Sequence, residues 1–213
     1  MEAVIFDMDG LLIDSEPLWE LAEADFLAAH GKRFSHEIAC KTTGLRLDEL
    51  IPAMKKYYGF EGDDASLGRE IIDHLFRHFE KGIPILPGAQ HALESLSRRF
   101  PVALASSSSR RVIGHVLDLN GWRQYFKSVC SGEEVPKGKP APDVFLLAAG
   151  RLGVSPSQCV VFEDSLNGVR AAKAAGMHCV AVPCASRFQG SEFAGLADRI
   201  ISSLESLPLD MLS

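Results

Sequence analysis

The sequence predicts an α/β fold: a doubly wound, Rossmann-like parallel sheet interrupted near its start by a helical insertion. Three observations carry this prediction. Short apolar runs recur through residues 1–14 and 84–213, and they are apolar almost throughout rather than alternating, as parallel strands buried on both faces must be. Helical patterns separate these runs, and strand–helix alternation favours right-handed crossovers into one parallel sheet. Residues 15–83 carry helical patterns and no convincing strand. The expected organisation is therefore a core of 1–14 and 84–213 with a helical insertion at 15–83.

Each element follows in order. "AVIFD" (3–7) reads as the first strand. A helix from Pro17 to His30 has proline in its first turn and stops at Gly31. Further helices cover about 46–58 and 66–81, and "GIPILPG" (82–88) reads as the linker returning to the sheet. The core then alternates: helix 88–99, strand "VALAS" (102–106), helix 109–119, strand "KSVCS" (127–131), helix 142–152, strand "CVVFED" (159–164), and helix 165–175 closed by Gly176. "HCVAVP" (178–183) and "RIIS" (199–202) complete the strands.

Composition excludes several function classes. The 213 residues contain 46% hydrophobic and 23% charged residues, the profile of a globular chain with a full core. A net charge of -6 offers nucleic acid no basic footprint, so an anionic substrate needs a local positive site. No apolar run approaches the roughly 20 residues of a membrane span. "AVIF" is too short for a signal peptide, and Asp7 and Asp9 follow it at once. The five cysteines (Cys40, Cys130, Cys159, Cys179 and Cys184) form no C-x-x-C pair and read as free thiols of a reducing compartment. The expected location is the cytoplasm, and the expected state a monomer.

Ligands of an open parallel sheet bind beyond the carboxyl ends of the strands. There the sequence offers Asp7 and Asp9 after the first strand, Ser106 after the second, and Glu163 and Asp164 after "CVVFE". "KGKPAPD" adds Lys137 and Lys139 before a helix. Carboxylates with a hydroxyl and an ammonium form an inventory for Mg²⁺ plus phosphate: hard oxygens hold the cation, while a lysine and a helix N-terminus hold the anion. Asp7 and Asp9 stand two apart, so an extended chain points both the same way. Such a pair resists joint ionisation unless a cation intervenes, which suits one to nucleophilic attack and the other to carrying a proton. A surface turn is the plain alternative for D-x-D-G, and the matching groups on other strand ends argue against it.

Ser106 suits either a phosphoryl contact or a helix cap, and Ser107, Ser108 and Ser109 read as caps or solvent contacts. "GEEVPKGKP" has one residue too many for a P-loop and lacks Ser/Thr after its lysine. His74 and His78 stand four apart on a helix without a third ligand, and the sequence assigns them to a solvated face. No dinucleotide fingerprint is present.

Four motifs in order resemble the haloacid dehalogenase superfamily: "DMDGLLIDS" (7–15), "LASSS" (104–108), "GKPAPD" (138–143) and "VFEDSLNG" (161–168). The resemblance covers essentially the whole chain and is similar in detail to the β-phosphoglucomutase-like branch, which includes sugar-phosphate phosphatases. It implies Asp7 as the nucleophile that forms an aspartyl-phosphate and Asp9 as the acid and base. It implies Ser106, Ser107 and Lys139 as phosphate-binding residues. It further implies Mg²⁺ held by Asp7, the backbone carbonyl of Asp9, Glu163 and Asp164, with Asp14 supporting the loop. The helical insertion would be a cap that closes over substrate on hinges at Ser15–Pro17 and Ile83–Pro84. Trp19 stands where the mutase carries a cap histidine. Leu47 stands where it carries a phosphate-gripping arginine, with Arg46 one position earlier. Trp19 and Arg46 are thus expected substrate contacts, tilting the expectation from a mutase toward a phosphatase of hexose or hexitol phosphates. Pseudouridine-phosphate phosphatases open similarly.

Overall fold

A computed structural model describes residues 1–42, 44–183 and 190–207. Cys184 lies outside the described residues. The chain divides into two compact units, Met1–Asp14 with Ile85–Ser213, and Ser15–Pro84.

The first unit is built on six parallel strands: β1 (Ala3–Phe6), β2 (Val102–Ser106), β3 (Ser128–Ser131), β4 (Cys159–Glu163), β5 (His178–Ala181) and β6 (Arg199–Ile200). Their spatial order is β3-β2-β1-β4-β5-β6. The chain winds outward from β1 through β2 to β3, then returns to the other side of β1. The order therefore reverses between β1 and β4, which is where doubly wound sheets bind ligands.

Register follows from side-chain alternation. β1 pairs Ile5 with Ala103 on one side and with Val161 on the other. Ala3, Ile5, Ala103, Ala105, Cys130, Val161 and Cys179 then share one buried face with Phe145, Val144 and Val169. Phe6 and Phe162 alternate to the opposite face, where their rings stack at 5.1 Å. Truncating either ring to alanine would cost about 3–5 kcal/mol in so closely packed a core. Cys130, Cys159 and Cys179 are free thiols buried in β3, β4 and β5, and burial pushes each thiol pKa upward.

The second unit comprises α1 (Glu16–Ala29), α2 (His36–Thr42), α3 (Leu47–Tyr58) and α4 (Asp64–Phe79). Helix α4 starts where Asp63 accepts the backbone N–H of Ser66 at 2.9 Å, and α3 ends at Gly59 in the left-handed region. The sequence reading contains no counterpart of α2. That helix has only seven residues and no apolar stripe. It is held locally by a Glu37–Lys41 ion pair at 2.7 Å, and the Thr42 hydroxyl donates back to the Ala39 carbonyl.

His74 and His78 overturn the expectation of a solvated face. Helix α1 covers them. His78 Nε2 lies 2.8 Å from Asp25 of α1, and His74 is 8% exposed, edge-on to Phe26. His30 makes a matching 3.1 Å contact with Glu70 from the other helix and stacks on Phe60. The histidines serve the packing of α1 against α4.

The remaining helices flank the sheet: α5 (Ala89–Ser97), α6 (Arg110–Leu119), α7 (Asp143–Leu152) and α8 (Leu166–Ala174). Ser109 caps α6 by accepting from Val112 N at 3.2 Å, and Ser165 caps α8 by accepting from Gly168 N at 3.0 Å. No helix among the described residues is long and apolar enough to cross a membrane.

Candidate active site

The end of β1 delivers Asp7, whose backbone N–H donates to Phe162 of β4 at 3.1 Å. The chain then turns at once. Gly10 has φ +82°, and its N–H donates to the carbonyl of Ile13 at 2.9 Å. A Cβ at Gly10 would overlap the carboxylate of Asp164. Glycine is thus required twice, for the backbone conformation and for the approach of Asp164. The end of β4 delivers Glu163 and Asp164, 1% and 2% exposed.

Lys139 reaches this point from the segment before α7. Its Nζ donates to Asp7 Oδ1 at 2.5 Å, to Glu163 Oε1 at 2.7 Å and to the Ala105 carbonyl at 3.1 Å. All three ammonium protons are therefore in use. The Lys139 side chain is 6% exposed, and its Nζ sits 4.7 Å from the Phe145 ring centre. Lys137, the competing lysine before the resemblance is considered, is exposed. Glu163 is held from its other side by Ser165, whose N–H and hydroxyl donate to Oε2 at 2.9 and 3.0 Å. A Cβ at Gly168 in the first turn of α8 would overlap the Glu163 carboxyl group. The glycines of the "DG" and "NG" motifs thus make room for two acidic side chains.

Electrostatics at the site are severe. Burial pushes Asp7 up to about 7; Lys139 opposes this, while Glu163 and Asp9 add to it. Burial by itself would pull Lys139 down, but the charges of Asp7 and Glu163 outweigh it and hold the ammonium above its ordinary range. Asp7, Glu163 and Asp164 each offer an oxygen within 4.8 Å of the others, and all three residues are buried. Three buried carboxylates with one ammonium leave an excess of negative charge that a divalent cation would offset. The donor set is all hard oxygen, and the Gly10 cradle leaves the Asp164 carboxylate room, so these residues fit Mg²⁺.

The structure brings Asp7, Asp9, Ser106, Lys139, Glu163 and Asp164 together at the strand ends. Asp9 Oδ2 accepts from the Ser106 hydroxyl at 3.2 Å and from the Ser108 hydroxyl at 2.8 Å. The sequence reading gives Ser108 no role beyond a cap or solvent contact, and its spacing from Ser106 was the available signal. Ser107 is half-buried in the bend after β2, with its backbone against Gly132. Trp19 lies half-buried on α1 of the helical unit. Arg46 is the N-cap of α3 in that unit, where its guanidinium pairs with Asp48 at 3.0 and 2.6 Å.

The family profile of the haloacid dehalogenase-like hydrolases matches residues 1–176. This chain belongs to the haloacid dehalogenase-like hydrolases. Hexitol phosphatase B of Escherichia coli K12 is 37% identical over 211 residues, covering 96% of this chain and 93% of the relative. A Drosophila melanogaster protein named "Probable pseudouridine-5'-phosphatase" is 40% identical over 191 residues, covering 84% of this chain and 80% of the relative. A crystal structure of a candidate β-phosphoglucomutase from Thermotoga maritima superposes with a TM-score of 0.77 at 32% identity, covering 96% of this chain and 95% of the other. As a haloacid dehalogenase-like hydrolase of the β-phosphoglucomutase-like branch, the chain is a phosphatase on an α/β core.

Proposed function

We propose that this phosphatase hydrolyses small hexose or hexitol phosphates, with Mg²⁺, through a phosphoryl group carried on Asp7. The observation that carries the proposal is the Lys139 ammonium, which donates to Asp7 and Glu163 at one buried point beside Asp164. A carboxylate nucleophile facing a phosphate dianion needs neutralised charge and fixed direction, and this arrangement supplies both. Asp7, Asp164 and the Asp9 carbonyl would hold the metal. Glu163, whose two oxygens already accept from Lys139 and Ser165, would complete its surroundings. The bound cation would supply charge stabilisation for the transferring phosphoryl group.

In the proposed reaction an Asp7 oxygen forms a bond to phosphorus as the bond to the sugar oxygen breaks. The electron pair leaves on that oxygen, which takes the proton of the Asp9 carboxyl group. Water then attacks phosphorus, its proton passes to the Asp9 carboxylate, and Asp7 leaves as a free carboxylate. Ser106 and Lys139 would hold phosphoryl oxygens, with Ser107 beside them. Trp19 and Arg46 would contact the sugar from the helical unit.

A mutase reading draws support from the likeness to the Thermotoga structure. Trp19 and Leu47 at the two mutase positions, and the engagement of Arg46 with Asp48, favour hydrolysis. The test is release of phosphate from a panel of hexose, hexitol and nucleoside phosphates with Mg²⁺. Hexose and hexitol phosphates should turn over fastest. A dominant rate on pseudouridine phosphate would move the substrate, and isomerised sugar with little free phosphate would favour the mutase.

A further inference from the structure

We propose that Ser108 is a positioning residue for the acid step: it holds the Asp9 carboxyl group so that the proton is presented to the leaving sugar oxygen. The inference rests on the reading of Asp9 as proton donor and extends it to a residue outside the four motif roles.

The Ser108 hydroxyl donates to Asp9 Oδ2 at 2.8 Å, a shorter contact than the 3.2 Å one from Ser106. Both hydroxyls converge on the same oxygen. Two donors converging on one oxygen fix the rotation of the Asp9 carboxyl group about its χ2 bond.

The two serines are not equivalent in this task. Ser106 is proposed to turn to the phosphoryl group when substrate binds, and its one hydroxyl proton cannot serve both partners. Ser108 remains as the standing donor to Asp9. Its backbone is fixed from both sides for the purpose. The Ser108 N–H donates to Ser106 Oγ at 3.0 Å, and the Ser108 carbonyl accepts from Ser131 Oγ at 2.7 Å. Ser131 is itself fixed at the end of β3: its N–H donates to Glu134 Oε1 at 2.9 Å, and its hydroxyl accepts from Glu133 N at 3.1 Å. Ser109 then caps α6, and Arg110 N donates to Glu133 Oε2 at 2.8 Å. Gly132 has no room for a side chain because the Ser107 backbone lies against it. A loop clamped at successive residues leaves the Ser108 side chain only its χ1 rotor, which here points the hydroxyl at Asp9.

The test separates proton donation from general structural support. Protonation matters for a poor leaving group such as a sugar alkoxide and little for a nitrophenolate, which departs as a stable anion. For Ser108→Ala, kcat/KM on a hexitol phosphate should fall about tenfold, the usual value of one hydrogen bond, while kcat/KM on p-nitrophenyl phosphate should fall less than about twofold. Ser108→Thr, which keeps the hydroxyl, should retain the hexitol phosphate rate. Asp9→Asn is the reference and should show the same selectivity with a larger loss. An equal loss of Ser108→Ala on both esters, no loss on either, or a Ser108→Thr variant as impaired as alanine would overturn the assignment while Asp9 keeps its role. If Asp9→Asn itself loses both esters equally, the reading of Asp9 as proton donor falls, and the Ser108 inference falls with it.

Discussion

Glu23 offers a perturbation whose size can be worked from the structure. It lies on α1 of the helical unit, 8% exposed, and burial pushes its carboxyl from an ordinary 4.5 up to about 7, with Glu16 and Glu20 adding to the effect. Above pH 7 the native state holds Glu23 charged and bears the full penalty of burying it. At about 1.4 kcal/mol per tenfold change in proton affinity, that penalty is about 3 kcal/mol. Between pH 4.5 and 7 the native state binds the proton and the unfolded chain does not, so stability rises as pH falls through this window. Below 4.5 both states are protonated and the penalty is gone. Glu23→Gln keeps the shape and removes the charge. The variant should therefore be more stable than the wild type by up to about 3 kcal/mol at pH 8, with most of the gain gone at pH 4.5. Urea melts of both proteins at the two pH values, followed by far-ultraviolet circular dichroism, read this difference directly. A variant no more stable than wild type at pH 8, or a gain of equal size at both pH values, would refute the reasoning.

Three further outcomes follow from the site. Lys139→Met should lower kcat/KM by a factor of about 10² to 10³, because the ammonium is the charge facing Asp7 and Glu163; steady-state assays on a sugar phosphate check this. Gly168→Ala should displace the Glu163 carboxyl group, costing about 1–3 kcal/mol in a thermal melt, with a fall in activity larger than stability explains. Chelation should abolish turnover, and Mg²⁺ at about a hundredfold excess over its Kd should stabilise the wild type by about 2.7 kcal/mol and the Asp164→Ala variant by much less, read as a Tm shift.

The sheet was legible because its strands are buried on both faces: "AVIF", "VALAS" and "CVVFE" admit no amphipathic alternative. The same runs made the acidic residues at their ends conspicuous, since Asp7, Glu163 and Asp164 interrupt apolar stretches where a charge is costly. What escaped depends on contacts distant in the chain. The resemblance points to Lys139 rather than Lys137, but the contacts that hold it, with Asp7, Ala105 and Glu163, are none of them near in sequence. His74 looks solvated in a helical pattern and is buried because α1 covers it. Helix α2 is too short for a period to declare itself. Ser108 sits in a run of four serines whose members are alike in sequence, and only their different partners, Asp9 for Ser106 and Ser108 and a helix end for Ser109, tell them apart.

The central claim is that Asp7 carries the phosphoryl group. Rapid acid quench of the wild-type enzyme during turnover of a sugar phosphate, followed by peptide mass analysis, tests it directly. The account predicts a hydroxylamine-sensitive phosphoryl adduct on the peptide containing Asp7, and neither adduct nor phosphate release in Asp7→Asn. Undiminished turnover by Asp7→Asn, or an adduct on another residue, would contradict it.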